Sequence, residues 1–338
     1  MTEPGETSYR SSYMRTLLVV AVAALLLPLG SADAAKKLKK PRHGIQLRPS
    51  PYTVGPGEDR EWCEYVRAPV KKPMYVSGFE VRMPPGAHHF VVWGYGGDVQ
   101  DDSKFPSQPV ESVGCTGLGP GEIAPRVIIP LQSPNKRFDL PKGLALRIDP
   151  GQQLWLNPHL RNPSLTESVV PEIRANFYAA KAGSVKHLVE GLIAGNMPDI
   201  NIPAGGDQRL TAEFTAPVNL NIVFLATHQH RLGTYANIEL VDQNGIPQQI
   251  YESYRWDHPP DLWPQAPIRL AKGDKMRITC EWHNTDQVAI HFGPNTTDEM
   301  CFILGFYYRD DGDTEEVPFG QCLPSASGLL CPLAPKVN

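Results

Sequence analysis

The chain lacks any long stretch with a helical apolar period, and this argues first against a helical bundle. Charge of one sign is missing too: 32 Lys and Arg stand against 36 Asp and Glu, a net of −4 over 338 residues. Without a basic stripe, nucleic acid is not an expected partner. None of the six cysteines stands in a Cys-x-x-Cys pair, which argues against a zinc ribbon or a redox dithiol. Nor does the apolar run Thr16 to Leu29 reach the about 20 residues that span a bilayer comfortably.

That run suits the core of a secretory signal instead. Arg10 and Arg15 precede it, and Ala32-Asp33-Ala34 supplies a small-x-small cleavage site. Residues 1–34 are therefore expected to be a signal peptide, giving a periplasmic or secreted protein. An uncleaved N-terminal anchor is the alternative, and Met14 is an alternative start. Export makes disulfides the default for Cys63, Cys115, Cys280, Cys301, Cys322 and Cys331. Proximity in sequence favours Cys63–Cys115, Cys280–Cys301 and Cys322–Cys331.

With 41% hydrophobic residues, the chain can fill two cores of ordinary domain size. Its 34 prolines and 29 glycines are scattered between short apolar runs, the habit of an all-β protein with many turns. Strands are expected at Met74–Arg82, His89–Trp93, Gln153–Asn157, Ile173–Tyr178, Asn221–Ala226, Ala236–Val241, Lys275–Cys280 and Cys301–Tyr307. Pro150-Gly151 and Asn244-Gly245 mark turns. A small polar break at Lys181-Ala-Gly-Ser184 divides the chain. The expected plan is a linker over 35–51, β-sandwiches over 52–182 and 183–309, and a disulfide-stapled tail over 310–338.

Chemistry concentrates in a few of the 10 histidines. His228-Gln-His230 follows an apolar strand, and residues two apart on a strand share a face, so two imidazoles can aim at one metal. The bland reading is a chance surface pair. His88 and His89 would face opposite ways on a regular strand, one buried and one exposed. The preceding Pro84-Pro85-Gly86 could bend the pleat and let both rings converge. His159 ends the strand Gln153 to Pro158, a place where a hydrogen-bonded surface histidine is the commoner outcome. Met300 either packs in a core or offers a thioether beside Cys301. A His-x-His pair with a thioether suits cuprous and cupric copper alike, whereas zinc favours a fourth nitrogen, oxygen or thiolate.

Taken in order, Ala87-His88-His89-Phe90, Asn157-Pro158-His159, Thr227-His228-Gln229-His230 and Asp298-Glu299-Met300-Cys301 resemble the copper type II ascorbate-dependent monooxygenases. His291-Phe292-Gly293 resembles the same family without being a copper ligand there. The resemblance implies two tandem jelly-roll-like antiparallel β-sandwiches facing each other across a copper-containing cleft. One copper, on His88, His89 and His159, would store an electron; a second, on His228, His230 and Met300, would take dioxygen and a substrate C–H bond. Ascorbate would be the reductant, and Cys63–Cys115 and Cys280–Cys301 would be the matching disulfides. The partners implied are a small-molecule substrate and dioxygen; no obligate protein partner is evident.

The departures concern substrate. Where one member of that family, the peptidylglycine α-hydroxylating monooxygenase, holds a substrate carboxylate with an Arg, this chain has Ala226; where that enzyme has an Asn and a Tyr, this chain has Phe302 and Leu304. A more apolar pocket follows, and peptide amidation is not expected. Asn157 replaces a Gln, which leaves the electron path open. His43, His187, His258 and His283 read as structural or exposed. Two other readings stand beside the monooxygenase: a non-catalytic copper protein for storage, delivery or sensing, and a β-sandwich binding module with incidental histidines.

Overall fold

The computed structural model describes residues 38–84, 87–95, 102–103, 105–111, 125–131, 135–195, 199–216, 218–293, 297–309, 323–325 and 328–330. The signal segment, Cys115, Cys322, Cys331 and the acidic run 310–316 lie outside them. No helix occurs among the described residues; the chain is all-β, as its turn-rich composition predicts. Residues from Lys37 onward form one compact unit.

The first part contributes β1 (Gly44–Leu47), β2 (Asp59–Arg67), β3 (Met74–Arg82), β4 (Ala87–Tyr95), β5 (Val110–Glu111) and β6 (Pro125–Leu131). After these come β7 (Arg137–Asp139), β8 (Leu144–Ile148), β9 (Gln153–Arg161), β10 (Arg174–Ala179) and β11 (His187–Leu188). One sheet runs β1-β10-β3-β8-β11, with β7 pairing β3, and the other runs β5-β2-β9-β4-β6. Phe79, Val81, Leu146 and Phe177 of the former pack with Phe90, Val92, Ile129 and Leu156 of the latter in one buried core. This is the two-layer solution an antiparallel sheet needs to hide its apolar face. Part of the stretch read as linker is strand: β1 pairs β10 from Gly44↔Tyr178 to Leu47↔Ala175.

The second part adds β12 (Glu190–Gly195), β13 (Asn201–Ile202), β14 (Asp207–Thr215), β15 (Leu220–His228), β16 (Gly233–Val241) and β17 (Pro247–Ser253). It continues with β18 (Ile268–Leu270), β19 (Lys275–His283), β20 (Ile290–His291), β21 (Phe302–Arg309), β22 (Leu323–Ser325) and β23 (Gly328–Leu330). The sheet β18-β15-β21-β12-β23-β22 faces the sheet β14-β19-β16-β17, and β13 pairs β20. Ile222, Leu225 and Ile303 meet Phe214, Ile238, Met276 and Trp282 in the second core. The Cys280–Cys301 disulfide joins the start of β21 to β19. Part of the appended tail is thus a hairpin added beside β12, at Gly195↔Leu329.

Two of the strands that carry histidines are buried on both faces, as β12 is. β9 is buried from Gln153 to Leu160, and β15 is buried throughout. A half-covered strand alternates; these do not, because the two sandwiches cover each other's outer faces here. Cys63, Val91, Trp93 and Trp155 of the first pack directly against Ile193, Met300, Phe302 and Leu304 of the second. The copper-containing cleft that the resemblance implies is not seen among the described residues. An apolar seam fills this junction.

Candidate metal centre

Three adjacent strands of the first sandwich carry the polar side chains of interest. Glu61 on β2 is the register partner of His159 on β9, and His159 is the register partner of His89 on β4. Cross-strand partners project from the same sheet face, so one carboxylate and two imidazoles form a row. The His89 and His159 ring centroids are 5.0 Å apart. The sequence reading ended the strand at Pro158, but β9 continues to Arg161 and holds His159 inside the sheet. Pro158 is tolerated because β2 departs from β9 there, its pairing stepping from Glu61↔His159 to Glu64↔Leu156. A residue without an N–H fits that interruption.

The register of β4 against β9 also slips between Ala87 and His89. A bulge of this kind gives His88 a backbone setting outside the regular alternation, at the place where the sequence reading looked for a bend. The His88 side chain lies outside the described residues.

In the second sandwich His228 is the last residue of β15, while Gln229 and His230 lie beyond the strand. Simple strand alternation therefore does not bring the two rings together. His230 is placed by a different device, Glu299. Its carboxylate accepts the backbone N–H groups of His230 (3.0 Å), Leu232 (2.7 Å) and Met300 (3.4 Å), and the Trp282 indole N–H (2.8 Å). One fully buried side chain thus fastens the His230 turn to the backbone of Met300. Burial pushes the Glu299 carboxyl up to about 7, against the pull of its N–H donors. Sequence reasoning quoted Glu299 within its motif and gave it no role; its place beside Met300 was the only signal. Gly293 serves the same corner, since a Cβ there would fall 2.2 Å from the Asp298 carboxylate.

The rings of the two sandwiches meet. His228 lies 5.0 Å from His230 and 6.0 Å from His89, centroid to centroid. Burial drives His89 and His228 below the ordinary histidine range and His230 to about 4. Neutral imidazoles offering a lone pair are what a metal requires. Two tautomers are set by neighbours. The His230 Nδ1–H donates to the Asp298 carbonyl at 3.0 Å, leaving Nε2 as the lone-pair nitrogen. The His159 Nε2–H donates to Asp59 Oδ1 at 2.6 Å, leaving Nδ1. Such outer contacts orient metal-binding histidines.

Among the described residues no three His, Cys, Asp or Glu side chains already converge on one ion position. The donor set is one of pairs: His89 with His159, and His228 with His230. A thioether and a third histidine are the completing donors in the expected ligand sets. The set fits copper, which accepts imidazole with thioether. The other histidines keep ordinary roles. His187 stacks on Tyr308, His258 meets Asp257, and His283 meets Asp207 on the surface.

Residues 208–329 match the copper type II ascorbate-dependent monooxygenase C-terminal domain. That span contains His228, His230, Glu299 and Met300; His88, His89 and His159 lie outside it. The matched span begins in β14 and runs through the strands of the second sandwich that follow it. No curated protein matches the chain. Among solved structures, the major capsid protein P2 of bacteriophage PM2 is similar at 9% identity and TM-score 0.29, covering 78% of this chain and 96% of that one. Tripeptidyl peptidase 2 is similar at 10% identity and TM-score 0.21, covering 80% of this chain and 24% of that one. PNGF-II follows at 8% identity and TM-score 0.24, covering 83% and 63%. Likenesses of this size say nothing about function.

Proposed function

We propose that the chain is a copper-dependent monooxygenase that hydroxylates a C–H bond of an apolar small substrate, using dioxygen and ascorbate or another one-electron donor. The observation that carries this reading is the monooxygenase-domain match, within which Glu299 fastens His230 to Met300. His228, His230 and Met300 would hold the copper at which substrate reacts, and His88, His89 and His159 a second copper that supplies an electron. Copper on such donors brings one-electron redox chemistry and dioxygen activation.

The chain's own residues do the rest. Asp298 and Asp59 hold His230 and His159 in the tautomers that leave one nitrogen for the metal. Phe302, Leu304 and Trp93 surround Met300 with apolar surface and exclude water from that side. No Arg, Asn or Tyr stands at the positions of Ala226, Phe302 and Leu304, which supports an apolar substrate. Export through the leader at 1–34 would place the enzyme in the periplasm or outside the cell, where disulfides persist.

The closely packed seam between the sandwiches favours a second reading, a non-catalytic copper protein for storage, delivery or sensing. Ascorbate-dependent oxygen uptake with labelled dioxygen separates the two. Label in a hydroxylated product supports the monooxygenase; tight copper without turnover on an apolar substrate panel supports the alternative.

A further inference from the structure

Glu61 occupies the row of first-sandwich donors without belonging to the ligand set that the sequence motifs define. It is the register partner of His159, and its Oε1 lies 3.5 Å from His89 Nε2. Asn157 Nδ2, two residues before His159, donates to the same Oε1 at 2.9 Å. The second oxygen, Oε2, is fully buried with no hydrogen-bond partner. No Lys or Arg is paired with this carboxyl among the described residues.

A buried carboxyl in this setting is incomplete in either protonation state. Ionised, it needs a cation; protonated, its O–H needs an acceptor. His159 and His89 stand beside it in the same row, with His89 Nε2 at 3.5 Å. A metal ion between the carboxylate and those imidazoles would complete it.

We propose that Glu61 is itself a metal ligand, an anionic oxygen donor to the copper held by His89 and His159. The inference rests on the copper reading above and adds to it. An oxygen donor is harder than imidazole or thioether, so it favours the cupric over the cuprous state. The first-sandwich copper would thereby be the better electron donor of the two. Asn157, in the place of the family's Gln, orients this carboxylate.

The test uses the mature chain loaded with Cu(II) alone, as wild type, Glu61→Gln and Glu61→Asp. Cu(II) affinity is measured by chelator competition, and the ligand set by the EPR hyperfine pattern. Glu61→Gln is expected to bind one of two coppers roughly tenfold more weakly or worse, with an altered spectrum at that site alone. Identical affinity and spectrum in wild type and Glu61→Gln would overturn the ligand role and leave the copper reading intact. Failure of the wild type to bind copper would remove both. If Glu61→Gln does not fold, Glu61→Asp decides: it keeps the charge and withdraws the oxygen by one methylene. A changed cupric spectrum then supports ligation, and an unchanged one sinks it.

Discussion

At the residue scale, His228, His230 and Met300 can be separated from the first-sandwich donors by single substitutions. Met300→Ala or His228→Ala should abolish hydroxylation and weaken one copper while the other stays bound. Elemental analysis beside an activity assay checks this, and full turnover in either variant would refute the assignment. Glu299 makes a different prediction. Glu299→Gln turns one acceptor oxygen into a donor facing buried N–H groups, which should cost about 2–3 kcal/mol of stability. Denaturant titration of the metal-free chain measures it. Acid should also act through His230. In the metal-free fold this residue takes its proton only near pH about 4, whereas an unfolded histidine does so near about 6.5. Between those values the unfolded chain binds more protons, so stability falls as pH drops, by about 1.4 kcal/mol per unit for this group. The slope of denaturation free energy against pH, compared between wild type and His230→Gln, isolates this group, and equal slopes would argue against burial of the ring.

At the scale of elements, one device fixes the backbone beside Met300 and another braces the two sandwiches against each other. The Cys280–Cys301 bridge closes a span of 21 residues and pins the backbone next to Met300. Its removal in Cys280→Ser/Cys301→Ser should cost about 3 kcal/mol, together with copper affinity at the second site. The other device is the proline-rich loop that follows β17. It brings Trp263 onto Phe138 of the first sandwich at 5.7 Å and Phe224 of the second at 4.6 Å, while Asp261 pairs with Lys136. Trp263→Ala should cost about 2 kcal/mol of apolar burial, seen as a lower denaturation midpoint. A neutral result would mean that the loop merely lies over the junction.

Across the whole molecule, the sandwiches share an apolar seam, and it limits which side chains can stand at the junction. Ala226 is buried beside Phe224 and Phe306, in register with Leu304. Ala226→Arg, which would restore a cationic grip, should instead destabilise the fold by about 3 kcal/mol or more, because it buries an unpaired guanidinium. A stable, carboxylate-binding variant would show that the junction opens.

What the sequence by itself determined is local. Runs of β-formers between Pro-Gly and Asn-Gly turns placed β3, β16 and β19 well, since strand patterning depends on neighbours along the chain. Gly151 and Gly245 take the left-handed conformation their turns need, at φ 66° and 81°. The histidine and methionine positions were also legible as ordered motifs. Only the tertiary structure decided how those motifs meet. The alignment of Glu61, His159 and His89 depends on the register of three strands, two of which pair across nearly a hundred residues of chain. The grip of Glu299 on the His230 turn, and the approach of His228 to His89, join segments whose proximity no local pattern encodes. Register and sheet packing are settled by which apolar faces can be buried together, a property of the whole chain.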